Sequence, residues 1–342
     1  MKTNFDSYCI NGIANGCKYC VKGEKLVLFI TGICSRNCFY CSLSRKRKNK
    51  DEIWANERKC RKISEVIEEA KESNAKGAGI TGGDPLLKFE RTARYANALK
   101  KNFGKKFHIH IYLPTKFLTY EKLKKLSKYI DEIRLHPEFL SKNLNKEEIE
   151  KEIDKIKLAS NIFGVNNTGI ELPIFPDKKK EIAEFILKIK DYISFVNLNE
   201  FELSETNFNA VTNHYKLKKG GYIIAGSKEA GLWILNKLKK EKLKIHLCTA
   251  ETKNWHQYKN RLLNHKILPF GKRTKDGTVK YLCIYPENPE LQKYKNVFID
   301  KDKKRIIINE SMTKKLKDKF KIESVEEYPT YDRIEIEKWQ IN

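Results

Sequence analysis

The regular alternation of strand-like and helix-like segments between residues 25 and 200 constrains the fold of this chain more than any other feature. The apolar run at 25–32 is typical of a strand buried on both faces. The next segment, 63–73, has apolar residues at helical spacing, and Ser64 is its predicted N-cap. Six such strand–helix units precede Glu200. We therefore predict an α/β fold with a parallel sheet and right-handed crossovers, either a barrel or a doubly wound sheet.

The pattern becomes less regular after residue 200. A helix at 227–240, a strand at 243–248 and a helix at 255–265 are predicted to extend the sheet. From about residue 271 the chain changes to short strands and one helix, predicted at 281–284, 296–299, 305–308 and 311–320. We therefore predict three parts: a cysteine-rich N-terminal extension at 1–24, a main α/β domain at 25–270, and a small α+β domain at 271–342.

The charge of the chain is strongly positive, because 69 Lys and Arg residues outnumber 44 Asp and Glu residues and give a net charge of +25. This excess suits an acidic or nucleic-acid partner. Lysines are, however, spread over the whole chain, which is equally typical of a solvated surface. No run approaches the ~20 apolar residues of a membrane span, and the N-terminus lacks an apolar signal core. We predict a cytoplasmic protein without a membrane partner.

Six of the nine cysteines precede Ser42. In a reduced cytosolic protein of this size, clustered cysteines bind metal more often than they form disulfides. Cys34, Cys38 and Cys41 form a C-x3-C-x2-C motif in the loop that leaves the first predicted strand. Three thiolates on one tight loop can bind three irons of a cubane cluster and leave the fourth iron open. A structural zinc ion is the alternative for such a motif.

A second motif, Gly82-Gly83-Asp84, follows the second predicted strand. Glycine permits close approach of the backbone to a ligand, and a carbonyl or carboxylate oxygen is the natural partner of a cation. Taken alone, such a run is usually a turn. Because the carboxyl ends of parallel strands meet at one edge, both motifs are predicted to share one face of the sheet.

The cysteine spacing, Tyr40 before the last cysteine and the glycine motif after the next strand resemble the radical S-adenosylmethionine (SAM) superfamily. The resemblance implies a partial (βα)6 parallel barrel with a [4Fe–4S] cluster on Cys34, Cys38 and Cys41, and SAM on the fourth iron. It also implies an oxidoreductase that cleaves SAM to methionine and a 5′-deoxyadenosyl radical, which abstracts hydrogen from a substrate. An electron donor such as ferredoxin or flavodoxin would supply the reducing electron.

The same resemblance implies which residues bind SAM. Asp84 stands where Glu is commoner in this superfamily, and Arg134 and His136 have the alternative of pairing with nearby acids. Glu200 is the predicted catalytic residue, with a solvent-facing acid as the alternative. The implied SAM-binding residues are Tyr40, Ser42, Gly82, Gly83, Asp84, Arg134, His136, Asn197 and Asn199.

The segments 23–34, 39–44, 81–86 and 197–206 resemble an archaeal radical SAM group related to the pyruvate formate-lyase-activating enzyme. This resemblance implies activation of a glycyl-radical enzyme by hydrogen abstraction from a glycine Cα of that partner protein. Two alternatives remain open. One is radical SAM modification of tRNA or rRNA, and the other is a non-enzymatic iron–sulfur or zinc protein.

A second cysteine group, Cys9, Cys17 and Cys20, precedes the first predicted strand. Three thiols in so short a segment indicate a second metal site, and Cys60, Cys248 or Cys283 are candidates for a fourth ligand. The alternatives are a structural zinc ion, an auxiliary [4Fe–4S] cluster and free thiols. The spacing does not distinguish between them.

Overall fold

The computed structural model describes residues 1–219, 221–285 and 289–342. Its main sheet contains the predicted series of strands and three more at its edges. The ten strands are β1 (Tyr8–Ile10), β2 (Lys25–Phe29), β3 (Ile53–Ala55), β4 (Arg58–Cys60), β5 (Gly77–Thr81), β6 (His108–Pro114), β7 (Glu132–His136), β8 (Thr168–Ile174), β9 (Phe195–Glu200) and β10 (Lys244–Cys248).

Helices connect these strands and cover the outer face of the sheet. A π-helical segment, Thr252–Tyr258, precedes the ninth helix. The α-helices are α1 (Asn15–Val21), α2 (Ile63–Glu72), α3 (Phe89–Phe103), α4 (Tyr120–Leu126), α5 (Lys146–Phe163), α6 (Lys179–Ile189), α7 (Phe208–Thr212), α8 (Ser227–Lys237), α9 (Lys259–Asn264) and α10 (Thr313–Leu316). No helix in the described part of the chain is long and apolar enough to cross a membrane.

The strand order is β1-β10-β9-β8-β7-β6-β5-β2-β3-β4. Strands β2 and β5 to β10 run parallel, whereas β1, β3 and β4 pair antiparallel at the two edges. The α/β fold with a parallel partial barrel is therefore confirmed, and β10 adds a seventh parallel strand. The hairpin β3–β4 and the edge strand β1 were not predicted.

The inner and outer faces of the barrel differ in polarity, because side chains alternate along each strand. In β7, Ile133 and Leu135 belong to the apolar core between sheet and helices. Arg134 and His136, from the same strand, line the interior. The core that fixes the barrel thus lies outside the sheet, and its interior is free to carry polar groups.

The C-terminal part forms a separate six-stranded antiparallel sheet of β11 (Lys272–Arg273), β12 (Val279–Ile284), β13 (Val297–Asp300), β14 (Arg305–Ile308), β15 (Ile322–Glu327) and β16 (Glu335–Gln340). The predicted helix at 311–320 is too long, since α10 has one turn after the 3-10 segment Glu310–Met312. Strands β11, β15 and β16 were not predicted. The division into parts at residues 25 and 271 stays a prediction.

The predicted cap of α2 is wrong. The N-cap is Lys62, not Ser64. The Glu65 carboxylate accepts the backbone N–H groups of Arg61 and Lys62, at 2.5 and 2.8 Å. The glutamate at N3 thus accepts the backbone N–H of the N-cap residue, as the N3 residue of a capping box does.

Candidate functional site

A cavity of about 720 Å³ opens at the carboxyl ends of the parallel strands. The loop after β2, the turn after β5 and the ends of β6, β7, β8 and β9 form most of its wall. It brings together most of the predicted site residues: Cys34, Cys38, Tyr40, Cys41, Ser42, Gly82, Gly83, Arg134, His136, Asn199 and Glu200. Asp84, Asn197 and the three N-terminal cysteines are not part of its lining.

The three thiols of the loop 34–41 are half-buried and face this cavity. Burial raises the pKa of Cys34 and of Cys38, so a bound cation would be needed to hold them as thiolates. Among the described residues, no three His, Cys, Asp or Glu side chains surround one point as ligands of a single ion do. A cubane cluster does not need that arrangement, because each of its cysteines binds a different iron.

Arg36 fastens the middle of the thiol loop to the barrel. Its guanidinium donates to the carbonyl oxygen of His136 at 2.5 Å and to Thr115 Oγ1 at 2.7 Å. Its side chain is only 2% exposed and lies 3.8–3.9 Å from the carboxylates of Glu138 and Glu152. The sequence reading missed this residue. The sequence feature that could have indicated it is the position of this arginine between Cys34 and Cys38 of the cysteine motif.

The segment after β9 holds the other end of the loop. Thr206 Oγ1 donates to the carbonyl oxygens of Leu43 and Cys41, at 2.5 and 3.2 Å. The Asn207 side-chain amide donates to the carbonyl oxygen of Tyr40 at 3.0 Å. These contacts join positions more than 160 residues apart, so only the closed barrel brings them together.

Tyr40 and His136 form a neutral pair behind the thiols. His136 Nδ1 lies 2.9 Å from the carbonyl oxygen of Glu171, which requires a proton on that nitrogen. Its Nε2 therefore accepts a hydrogen bond from the Tyr40 hydroxyl at 2.8 Å. Burial lowers the pKa of His136 to about 4 and raises that of Tyr40, which keeps both rings uncharged near neutral pH.

Gly83 lies directly against the thiol loop. Its N–H donates to the carbonyl oxygen of Thr31 at 2.7 Å. A Cβ atom at this position would lie 2.4 Å from the Ile33 oxygen and 2.9 Å from the Cys34 Cβ. The turn thus needs a glycine, because any side chain would push the loop away.

Asp84 is fully buried outside the cavity. Its Oδ1 accepts the N–H of Leu86 at 2.9 Å and so caps the 3-10 segment Pro85–Lys88. Its Oδ2 has no hydrogen-bond partner, and burial raises the pKa of the carboxyl group. Asp84 therefore caps a short helical segment, and the residues of this turn that line the cavity are Gly82 and Gly83.

The lower wall of the cavity is an ion-pair network. Arg134 binds Glu132 at 2.6 Å and Glu171 at 2.9 Å. It therefore pairs with nearby acids, which was the alternative to a direct contact with SAM. Asn199 donates to Glu171 at 3.0 Å. Deeper still, the ammonium of Lys25 lies 3.4 Å from the Tyr112 hydroxyl, and neither residue was predicted.

Two further predicted residues are already engaged by protein groups. Asn197 Oδ1 lies 2.7 Å from His246 Nδ1 and 3.7 Å from the Cys17 thiol, below the cavity. Glu200 lines the cavity, but Lys218 binds one of its oxygens and the Ala250 N–H binds the other, each at 2.9 Å. Its carboxylate is thus held in place, with one donor on each oxygen.

Among the described residues, the second cysteine group forms no set of three side chains around one point. Cys17 lies on α1, which packs under the barrel, where Gly16 N–H donates to Glu132 at 3.0 Å. Arg134 lies 3.3 Å from the Cys17 sulfur, and burial raises the pKa of this thiol to about 11. Cys9 belongs instead to the edge strand β1. Metal binding by this group stays a prediction.

A parallel partial barrel with three cysteines in the loop after its first parallel strand defines a class of proteins that can hold a cluster at the mouth of a substrate-sized cavity. The family model of the radical SAM superfamily matches residues 28–186. A Methanocaldococcus jannaschii protein, provisionally named a glycyl-radical enzyme activating enzyme, is 36% identical over 99% of this chain and 94% of its own length. The chain therefore belongs to the radical SAM superfamily and is activating-enzyme-like.

Solved structures with some likeness are more distant. The radical SAM methyltransferase TsrM from Kitasatospora setae has a TM-score of 0.37 at 12% identity, over 53% of this chain and 37% of that chain. Coproporphyrinogen III oxidase from Escherichia coli, a radical SAM enzyme, has a TM-score of 0.40 at 13% identity, over 68% of this chain and 57% of that chain. The chain spans less than two thirds of either solved chain.

Membership of this superfamily implies a [4Fe–4S] cluster and SAM. The donor set fits the cluster, since three thiols of one anchored loop face a common cavity. The cavity also fits a nucleoside ligand in size and in its mixture of polar and apolar walls.

Proposed function

We propose that Cys34, Cys38 and Cys41 each bind one iron of a [4Fe–4S] cluster and that SAM binds beside it in the cavity. The observation that carries this proposal is the common cavity that the three thiols line. When bound, the cluster supplies one electron that cleaves SAM to methionine and a 5′-deoxyadenosyl radical. The chain's own part is to fix the loop through Arg36 and to enclose the reacting atoms.

The SAM site is proposed on the cavity-facing residues. The backbone of Gly82 and Gly83 is the acceptor for the SAM ammonium group, since Asp84 points elsewhere. The other SAM contacts are assigned to Tyr40, Ser42, His136 and Asn199, which share the same cavity. Arg134 supports this wall from below through its ion pairs with Glu132 and Glu171. Glu200 positions the end of β9 and is not assigned an acid–base role.

The proposed substrate is a glycine Cα–H of a glycyl-radical enzyme. The support is the provisional name of the M. jannaschii protein, which matches nearly the whole of both chains. A peptide loop that carries the glycine would enter the open mouth of the cavity beside Leu203 and Ser204. Glycine is a suitable hydrogen donor there, because it has no side chain to obstruct the approach of the reacting carbon.

The proposal is tested by anaerobic reconstitution with iron and sulfide, followed by SAM and dithionite. The wild-type chain should gain about four irons and produce 5′-deoxyadenosine, whereas Cys34→Ala, Cys38→Ala and Cys41→Ala should produce none. Cys60→Ala is the matched control, since this buried cysteine lies on β4, outside the cavity. A Cys38→Ala protein that forms 5′-deoxyadenosine at the wild-type rate would refute the assignment.

A further inference from the structure

The lower part of the cavity contains a lysine without a carboxylate partner. Lys25 is the first residue of β2, and it lines the cavity together with Tyr112, Arg134 and Glu171. Its ammonium group donates to the Tyr112 hydroxyl at 3.4 Å, and among the described residues this hydroxyl is its only hydrogen-bond partner. An ammonium group has three N–H donors. Most of the donor capacity of Lys25 is therefore free for a ligand in the cavity.

The other cations of the cavity wall are either paired or lie elsewhere. Arg36, Arg134 and Lys253 each have a carboxylate within 4.0 Å. Lys48 belongs to the partly exposed loop after β2. In the part of the chain that the structure describes, no carboxylate lies as close to the Lys25 ammonium. A positive charge deep in a cavity without such a partner favours a negatively charged ligand group.

The neighbouring strand leaves room for the Lys25 side chain. Strand β5 pairs with β2, and its Gly79 lies beside the stem of this lysine. A Cβ atom at Gly79 would lie 3.3 Å from Lys25 Cδ and 2.7 Å from His110 Nε2. Gly79 precedes Gly82 by three residues, which is ~10 Å along an extended strand. The Lys25 stem therefore lies about 10 Å below the turn to which the SAM ammonium group is assigned.

Lys25 keeps its charge at neutral pH. Burial lowers the pKa of its ammonium group, but the nearby Cys20, Tyr112 and Glu171 raise this pKa by more, so it lies above the ordinary value. Glu171 is itself bound by Arg134 at 2.9 Å. The charge on Lys25 is thus stable and is still available to a ligand.

We propose that Lys25 binds a carboxylate of the substrate in the lower part of the cavity, so that the substrate is acidic. This inference rests on the proposed function, because the radical must form above this position. In the proposed protein substrate, the carboxylate belongs to a Glu or Asp next to the reactive glycine. One extended residue spans ~3.3 Å, so a glycine beside SAM and an acidic side chain at the level of Lys25 can be neighbours in the peptide. A small organic acid is a second source of the same group.

The test measures hydrogen abstraction from two matched probe peptides. Both are N-acetylated dipeptide amides that begin with a glycine deuterated at Cα, and the second residue is glutamate in one and glutamine in the other. The two peptides are of equal size and differ only in charge. Deuterated succinate is the small-acid probe. The reconstituted protein receives SAM and dithionite, and mass spectrometry measures the deuterium that enters 5′-deoxyadenosine.

The variant is Lys25→Met, which keeps the aliphatic stem and removes the charge. Lys76→Met is the matched control, because this lysine directly precedes β5 and has an exposed side chain. Circular dichroism verifies that both variants are folded. The comparison of the two peptides in the wild type needs no variant at all, so it tests the inference even if Lys25→Met does not fold.

The wild type should transfer deuterium about tenfold faster from the glutamate peptide than from the glutamine peptide, because a charge-assisted hydrogen bond is about twice as strong as a neutral one. Lys25→Met should lose this preference, and Lys76→Met should keep it. Titration calorimetry without reductant should show that Lys25→Met binds the glutamate peptide about tenfold more weakly than the wild type does. Its dissociation constant for SAM should equal that of the wild type.

Three outcomes would overturn the inference. The wild type could treat both peptides alike and fail to bind succinate, the preference for glutamate could survive in Lys25→Met, or Lys25→Met could lose its affinity for SAM. The last result would assign Lys25 to the carboxylate of SAM. Deuterium transfer from succinate alone, lost in Lys25→Met, would support the carboxylate site and identify a small acid as its ligand. A wild-type chain that forms no 5′-deoxyadenosine would instead refute the proposed function, and the calorimetric titrations would still report on the Lys25 site.

Discussion

Replacement of Arg36 by Met should cost the chain a large part of its stability. The guanidinium makes two short hydrogen bonds and is 2% exposed. A hydrogen bond that involves a charged group contributes ~1.5–3 kcal/mol. Removal of one member of a buried charged set costs ~3–5 kcal/mol, because the remaining carboxylates lose their counter-charge. We therefore expect a loss of about 3–5 kcal/mol, since methionine replaces the packing volume but none of these bonds.

The assay is urea unfolding of the metal-free chain, followed by circular dichroism, with iron content measured separately after reconstitution. Arg45→Met is the matched control, because this arginine lies in the same region but has a side chain 78% exposed and a carboxylate at 4.0 Å. The control should lose less than ~1 kcal/mol. If Arg36→Met unfolded within 1 kcal/mol of the wild type and took up the full complement of iron, the anchoring role of this residue would be wrong.

Three further predictions concern the turn, the barrel interior and the surface. Gly83→Ala should lower iron uptake several-fold, because the new Cβ would lie 2.9 Å from the Cys34 Cβ. Gly221→Ala is the control and should leave iron uptake unchanged, because its Cβ would meet no atom closer than 3.8 Å. Burial lowers the pKa of His246 to about 4, so between about pH 6.5 and pH 4 the unfolded chain binds a proton at this residue that the folded chain does not. The free energy of unfolding of the wild type should therefore fall in this pH range by up to ~1.4 kcal/mol per pH unit more than that of His246→Phe. Urea unfolding at a series of pH values measures the difference. The exposed basic residues of 45–50 should not select the substrate, so addition of a folded RNA should leave the rate of 5′-deoxyadenosine formation at background. If an RNA stimulated this rate and changed in mass, the proposed substrate would be wrong and RNA modification would be the function.

Local patterns in the sequence were enough to predict the barrel and the thiol loop. Apolar strands and amphipathic helices are short-range signals, and the cysteine spacing needs no knowledge of the rest of the chain. The edge strand β1 and helix α1 escaped prediction, because each is short and has little periodicity of its own. They form where the closed barrel offers a partner, as β1 does by pairing with β10.

The depth of a residue in the barrel could not be predicted from its periodicity. Asn197 and Asn199 share one face of β9, since side chains alternate with a period of two. They nevertheless differ by about 6.6 Å along the strand, at ~3.3 Å per residue. Asn199 therefore reaches the cavity, whereas Asn197 lies one layer lower with Cys17 and His246. The sequence pattern predicts which face of the strand a residue lies on. Its depth in the barrel depends on the residues that pack beneath it.

The contacts of the thiol loop hold it in place without any metal ligand. Arg36 ties the loop to the ends of β6 and β7, Gly83 supports it from β5, and Thr206 with Asn207 holds it from β9. None of these bonds uses a cysteine side chain. In small zinc-binding domains the metal supplies the folding free energy, because the chain has too small a core of its own. Here a large apolar core lies outside the sheet, so we expect the metal-free chain to fold and to hold the loop in place for the cluster.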